Sequence, residues 1–105
     1  MIDGRMEKKI SIENVYEMLD EFARIMDAKK LSHPYIIKGL PHNPGITGFL
    51  IIDRSHISIH TFEEQMKILI DIFNCYPFNP DEIFKYLSNF SFIKILNTNF
   101  VTREI

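Results

Sequence analysis

Two β-rich runs separated by three residues occupy the middle of this 105-residue chain and limit what it can fold into. Ile46 to Ile52 is rich in β-branched and aromatic residues and reads as a buried strand. Asp53, Arg54 and Ser55 read as a turn. From His56 to His60 the pattern alternates, with His56, Ser58 and His60 on one face and Ile57 and Ile59 on the other. Two strands joined so tightly must be antiparallel neighbours. The chain is therefore expected to build an antiparallel sheet.

The flanking segments supply strands and helices to that sheet. Ser11 to about Ala28 carries Val15, Met18, Leu19, Phe22 and Met26 at helical spacing, with Ser11 as N-cap and Glu13 in the first turn. His33 to Lys38 reads as a short strand, and Gly39 to Gly45, with two Pro and two Gly, as a loop. Between Gln65 and Cys75, Ile68, Ile70 and Ile72 alternate with Leu69, Asp71 and Phe73, which favours a strand buried on both faces. Asn79 caps a second helix with Pro80 at its first position, and this helix buries Ile83, Phe84, Leu87 and Phe90. Phe92 to about Val101 closes the fold as a strand. The expected class is α+β, with two helices packed on one face of an antiparallel sheet.

Length and composition fit one domain over residues 1–105. Twelve basic residues against 14 acidic ones give a formal net charge of −2, so no basic patch points to nucleic acid. No segment approaches the roughly 20 apolar residues that span a bilayer. The start of the chain lacks the apolar core of a signal peptide, and one Cys cannot form an internal disulfide. A cytoplasmic protein is expected.

The polar residues around the central turn are those with chemistry to offer. Ser55 sits on the turn, two His and a Ser line the strand face beside it, and Cys75 follows twenty positions later. Cys and His on neighbouring strands can form a nucleophile–base pair. A metal is not expected, because a spacing of four in a strand puts His56 and His60 about 13 Å apart. On these residues alone, function stays open.

The run from Gly45 to Glu64, with Ser55-His56-Ile57-Ser58-Ile59-His60-Thr61 at its heart and Asp71-Ile72-Phe73-Asn74-Cys75 after it, resembles the pyruvoyl-dependent S-adenosylmethionine decarboxylases of the prokaryotic type. The family's core reads Gly-Val-Ser-Gly, an apolar strand, Glu-Ser-His-Ile-Ser-Ile-His-Thr, an aromatic, Pro-Glu, and then Asp-apolar-Phe-x-Cys. The resemblance implies a proenzyme that cleaves itself between Arg54 and Ser55, turning Ser55 into a pyruvoyl group, with Thr47 and His60 assisting. It implies that the pyruvoyl forms a Schiff base with the substrate amine and accepts electrons as carbon dioxide leaves, and that Cys75 returns a proton. It further implies substrate contacts at Phe62 and Glu64, a role in polyamine (spermidine) synthesis, and a homodimer. Ile2-Asp3-Gly4 resembles the end of the family's first strand, which is expected here to be short or lost.

Three departures bear on the chemistry. Arg54 replaces a Glu, reversing the charge beside a cationic substrate; after processing its guanidinium is expected to lie at the mouth of the site and to pair with a substrate carboxylate or with Glu64. Thr47 replaces a Ser, and Glu63 replaces a Pro. The family's ring-stacking Phe has no clear counterpart, Tyr35 being the nearest aromatic. Three functions remain open on this basis: decarboxylation of S-adenosylmethionine, decarboxylation of arginine or ornithine, and an unprocessed, non-catalytic paralogue.

Overall fold

A computed structural model describes residues 1–104 of the chain. Six strands form one sheet: β1 (Ile2–Met6), β2 (Tyr35–Lys38), β3 (Ile46–Ile52), β4 (Ser55–Phe62), β5 (Lys67–Phe73) and β6 (Ile93–Thr98). Their order is β2-β3-β4-β5-β1-β6, and every neighbouring pair is antiparallel. Two helices, α1 (Ile12–Ile25) and α2 (Pro80–Leu87), pack on one face, which is the α+β arrangement expected.

Period-two alternation builds the inner face of the sheet. Leu50 and Ile52 of β3, Ile57 and Ile59 of β4, and Ile68 and Ile70 of β5 are all buried there. Val15, Met18, Leu19 and Phe22 of α1 close over them, joined by Ile83 and Leu87 of α2. Ser11 caps α1 through a reciprocal pair in which its hydroxyl accepts from the Asn14 N–H and the Asn14 side chain accepts from the Ser11 N–H. Asn79 caps α2, with Pro80 at the first position. No helix among the described residues is long and apolar enough to cross a membrane.

Two glycines set how closely these layers approach. A Cβ on Gly48 of β3 would lie 2.5 Å from Cγ1 of Val15 and 3.0 Å from Cδ1 of Leu19, so α1 rests directly on the strand backbone. At Gly45 a Cβ would meet the Thr61 carbonyl oxygen, leaving room for no side chain. The Thr61 hydroxyl instead accepts from the Ile46 N–H at 2.8 Å, fastening the start of β3 to the end of β4.

Several boundaries differ from the sequence reading; β4 starts at Ser55 rather than His56, and α2 ends at Leu87, short of Phe90. The first strand is not lost: β1 runs over five residues between β5 and β6, with Ile2, Gly4 and Met6 turned inward. Pairing on both sides supplies what a short segment with Gly, Asp and Arg lacks locally. β5 stops at Phe73 rather than reaching Cys75, because the Cys75 N–H leaves the ladder to donate to the Ser55 hydroxyl. β6 stops at Thr98 rather than near Val101, because its partner β1 has run out.

Among the described residues no helix covers the outer face. There His56 lies between the rings of Phe49 and Phe73, at centroid distances of 5.5 and 5.7 Å. Tyr35 and Ile37 of β2 and Ile51 of β3 are exposed.

Adding one methyl at Gly48 drives α1 off the sheet. Gly48→Ala is expected to cost about 1–3 kcal/mol, read as a thermal midpoint lower by several degrees; an unchanged midpoint would refute the close approach. Tyr86 behaves oppositely. Its ring meets Phe22 edge to face, and its hydroxyl is buried without a hydrogen-bond partner among the described residues. Burial pushes the Tyr86 hydroxyl up to about 12, with Glu17 and Glu21 adding to the effect. The raised value favours the neutral form in the folded state, so this contribution holds below about pH 10 and is lost as pH rises towards 12. Tyr86→Phe should therefore leave stability at pH 7 unchanged or higher and flatten its fall between pH 10 and 12, measured by urea unfolding.

Candidate active site

The turn between β3 and β4 has only two residues, Asp53 and Arg54, because Ile52 pairs directly with Ser55. Closing it so tightly puts Arg54 in the left-handed region, at φ 51°. A side chain there costs on the order of 1–2 kcal/mol. The peptide that the resemblance marks for cleavage, Arg54–Ser55, thus follows directly from a strained residue.

Ser55 is the first residue of β4 and turns to the buried face with Ile57 and Ile59. Its Oγ accepts the Cys75 N–H at 2.8 Å, and the Cys75 Sγ lies 3.6 Å from the Asp53 carbonyl oxygen. Twenty residues of strand, turn and return strand bring Cys75 beside Ser55, as expected. A third contact goes beyond the residues singled out in the sequence. The Tyr76 hydroxyl accepts from Arg54 Nη2 at 3.1 Å and donates to Asp53 Oδ2 at 3.4 Å, with the Arg54 guanidinium 5.9 Å from its ring centre. The Tyr76 hydrogen bond is the main cause that raises the Arg54 pKa, with the charges around it adding to the effect. One signal existed: whatever carries Cys75 to Ser55 carries its neighbour Tyr76 to the turn. In the uncleaved chain Arg54 is held at this end of β4 by Tyr76, away from Glu64 at the other.

A cavity of about 1070 Å³ opens at this end of the sheet, bordered by Ser55 and Cys75. It wraps the strand ends, reaching Ile70 and Ile83 on the inner side and His56 and Phe73 on the outer side. Its volume suits a small-molecule ligand.

The remaining candidate residues lie elsewhere. Thr47 and His60 are paired across β3 and β4, and the Thr47 Oγ1 lies 3.0 Å from the His60 Nδ1 on the outer face. Phe62 ends β4, and Glu64 follows in the next turn. Along one strand His60 is five residues from Ser55, about 17 Å at the usual rise, and on the opposite face. One chain thus presents two half-sites: Arg54, Ser55 and Cys75 at one end of β4, and Thr47, His60, Phe62 and Glu64 at the other. Among the described residues no three His, Cys, Asp or Glu side chains gather where they could hold a metal.

Residues 5–104 match the family model of S-adenosylmethionine decarboxylase. Among curated proteins, the S-adenosylmethionine decarboxylase proenzyme of Clostridium botulinum is 42% identical over 88 residues, covering 79% of this chain and 71% of that protein. The proenzyme of the same name from Persephonella marina is 36% identical over 64 residues, covering 61% and 46%. That of a Sulfurihydrogenibium species is 35% identical over 69 residues, covering 66% and 50%.

Tyr76 ties both residues of the turn to the segment that carries Cys75. Tyr76→Phe should keep the fold, with a thermal midpoint within a few degrees of wild type, while slowing the cleavage that the resemblance implies at Arg54–Ser55 about tenfold, the order expected for losing a hydrogen bond to a charged group. Cleavage followed on a denaturing gel at the wild-type rate would show that the tether does not position the turn.

Proposed function

Because the chain belongs to the S-adenosylmethionine decarboxylase family, we propose that it is a self-processing, pyruvoyl-dependent decarboxylase of S-adenosylmethionine, serving polyamine synthesis in the cytoplasm. The observation that carries this reading is the strained Arg54–Ser55 junction, with a buried serine hydroxyl and Cys75 against it at the edge of a ligand-sized cavity. Residues 1–105 act as one domain that is cut between 54 and 55. No observation favours the arginine or ornithine substrate, or the non-catalytic reading, over this one.

Processing follows from the residues at the junction. The Ser55 Oγ attacks the Arg54 carbonyl carbon, the C–N bond breaks, and Arg54 becomes an ester on Oγ. Relief of the left-handed turn favours this step. Loss of the proton from the residue 55 Cα then expels the Arg54 carboxylate from Cβ. The resulting enamine takes up water and releases ammonia, leaving a pyruvoyl group at the head of fragment 55–105. A hydroxyl and an imidazole suit the proton movements and the oxyanion, which is the role of Thr47 and His60.

The residues present fit that group: residue 55 is small, largely buried, and opens onto the cavity. When formed, the pyruvoyl supplies an electron sink for loss of carbon dioxide. Cys75 donates a proton to the carbon that loses the carboxylate, and Phe62 and Glu64 contact the rest of the substrate. Arg54 places a fixed cation at the mouth, which disfavours a cationic substrate relative to a Glu at that position.

Fifteen or more ångströms within one chain are too many for His60 to serve its own Ser55. A twofold pair of chains, outer face to outer face, brings the Thr47–His60 end of one over the Ser55 end of the other. The uncovered outer face, with Tyr35, Ile37 and Ile51 exposed, suits such burial.

The test has two parts. Mass spectrometry should find fragments 1–54 and 55–105, abolished in Ser55→Ala, and the wild type should release carbon dioxide from S-adenosylmethionine. Mixing refolded Ser55→Ala with His60→Ala should restore cleavage of the His60→Ala chain, since each mixed pair holds one intact site. Cleavage that persists in Ser55→Ala sinks the mechanism, and a mixture that stays uncleaved beside an active wild type refutes the shared site.

A further inference from the structure

The residues around the proposed cut, Arg54, Ser55 and His56, each touch one residue at the end of β5, in reverse order along the chain. Arg54 Nη2 donates to the Tyr76 hydroxyl at 3.1 Å, and the Ser55 Oγ accepts the Cys75 N–H at 2.8 Å. His56 pairs directly with Phe73 in the β4–β5 ladder, and their rings lie 5.7 Å apart with planes at 35°. Antiparallel pairing produces this order: the ladder sets Phe73 against His56, and the bend after it carries Cys75 and Tyr76 back past Ser55 and Arg54.

The contact at His56 is the one that the processing chemistry leaves unused. Period-two alternation turns Phe49, His56 and Phe73 to the outer face, where three neighbouring strands set their rings in a row. Phe49 stacks on His56 with centroids 5.5 Å apart and planes at 17°. The Arg103 guanidinium lies over the Phe73 ring, 5.1 Å from its centre. The bend is itself tied down. Asn74 Oδ1 accepts the Tyr76 N–H at 3.2 Å, and Asn74 Nδ2 points to the Met26 Sδ at 3.7 Å, beside the end of α1.

We propose that His56 is a positioning residue for the cut at Arg54–Ser55, held by Phe49 and Phe73 so that the junction is fixed on both flanks. This rests on the self-processing reading above. The plane of the Arg54–Ser55 peptide is set by the backbone angles of the two residues it joins. Tyr76 fixes the chain before it through Arg54, and the row of rings fixes the chain after it through His56. With both flanks held, the Arg54 carbonyl carbon keeps the orientation that the Ser55 Oγ must meet, and small displacements there cost rate. The His56 contacts are made by ring faces, so the role asks for an aromatic ring rather than for an imidazole.

Wild type is compared with His56→Leu, which keeps apolar volume without a ring, with His56→Phe, which restores one, with Phe73→Leu, and with the double variant His56→Leu/Phe73→Leu. Cleavage is timed on a denaturing gel, while the thermal midpoint and light scattering follow the fold and the pairing of chains. His56→Leu should slow cleavage about tenfold, the order of a lost aromatic contact, and Phe73→Leu severalfold. The double variant should be no slower than His56→Leu, because the ring that Phe73 meets is already gone. His56→Phe should return to within about threefold of wild type. Hydroxylamine, which opens esters, should split little of the uncleaved His56→Leu chain, because the delayed step is the attack by Ser55 Oγ; extensive splitting would place the delay after the ester and overturn the proposal. Cleavage at the wild-type rate in His56→Leu overturns it and leaves the self-processing reading standing. His56→Phe as slow as His56→Leu overturns it in favour of an imidazole that moves a proton. Slowing that arrives with a midpoint lowered by many degrees, or with loss of the chain pair, overturns it too, making the row of rings a structural prop. Wild type that stays whole sinks the self-processing reading and this proposal with it.

Discussion

The register of β3 against β4 is the constraint from which the rest follows. It is fixed where Ile52 pairs with Ser55, with only Asp53 and Arg54 between them. A slip of one residue would turn Ser55, Ile57 and Ile59 to the outer face and both histidines into the core. The same register sets Thr47 opposite His60, within hydrogen-bond reach. Within this two-residue turn it is Arg54, at the second position, that takes the left-handed conformation. The backbone strain at the junction and the distance between the half-sites thus share one cause.

Gly48 and Gly45 hold that register from outside. With α1 resting on the Gly48 backbone, β3 cannot rotate without expelling the helix. With the Gly45 backbone against the Thr61 carbonyl, the far end of the hairpin is pinned as well. The glycines of the Gly-Ile-Thr-Gly run are therefore contact points of the scaffold, while the hydroxyl between them at Thr47 faces His60 on the outer side.

Much of this was legible in the residues. Alternation from His56 to His60 sorts the two faces of β4 correctly, because burial on one side leaves a period-two trace. Ser11 and Asn79 mark the starts of both helices, because capping is a local interaction. What stayed hidden depends on distant partners. β1 becomes a strand through β5 and β6 on either side, and Cys75 leaves its ladder for a hydroxyl twenty residues earlier. The resemblance gives Thr47 and His60 a part in the chemistry at Ser55, and β4 carries the pair to its other end; motif spacing records which residues are present, not how far the fold separates them. Tyr76 lay beside Cys75 in plain view, but its bonds to Asp53 and Arg54 exist only once the sheet has formed.

The position of β1 bears on what a cut at Arg54–Ser55 does to the protein. The piece up to residue 54 would own β1, α1, β2 and β3, and the remainder would own β4, β5, α2 and β6. Laid out in sheet order, ownership changes three times: between β3 and β4, between β5 and β1, and between β1 and β6. The two products are interleaved like fingers of clasped hands, and α2 of one closes a core that α1 of the other begins. Breaking the backbone therefore introduces a nick rather than a division: neither fragment can leave without dismantling the sheet that holds them both.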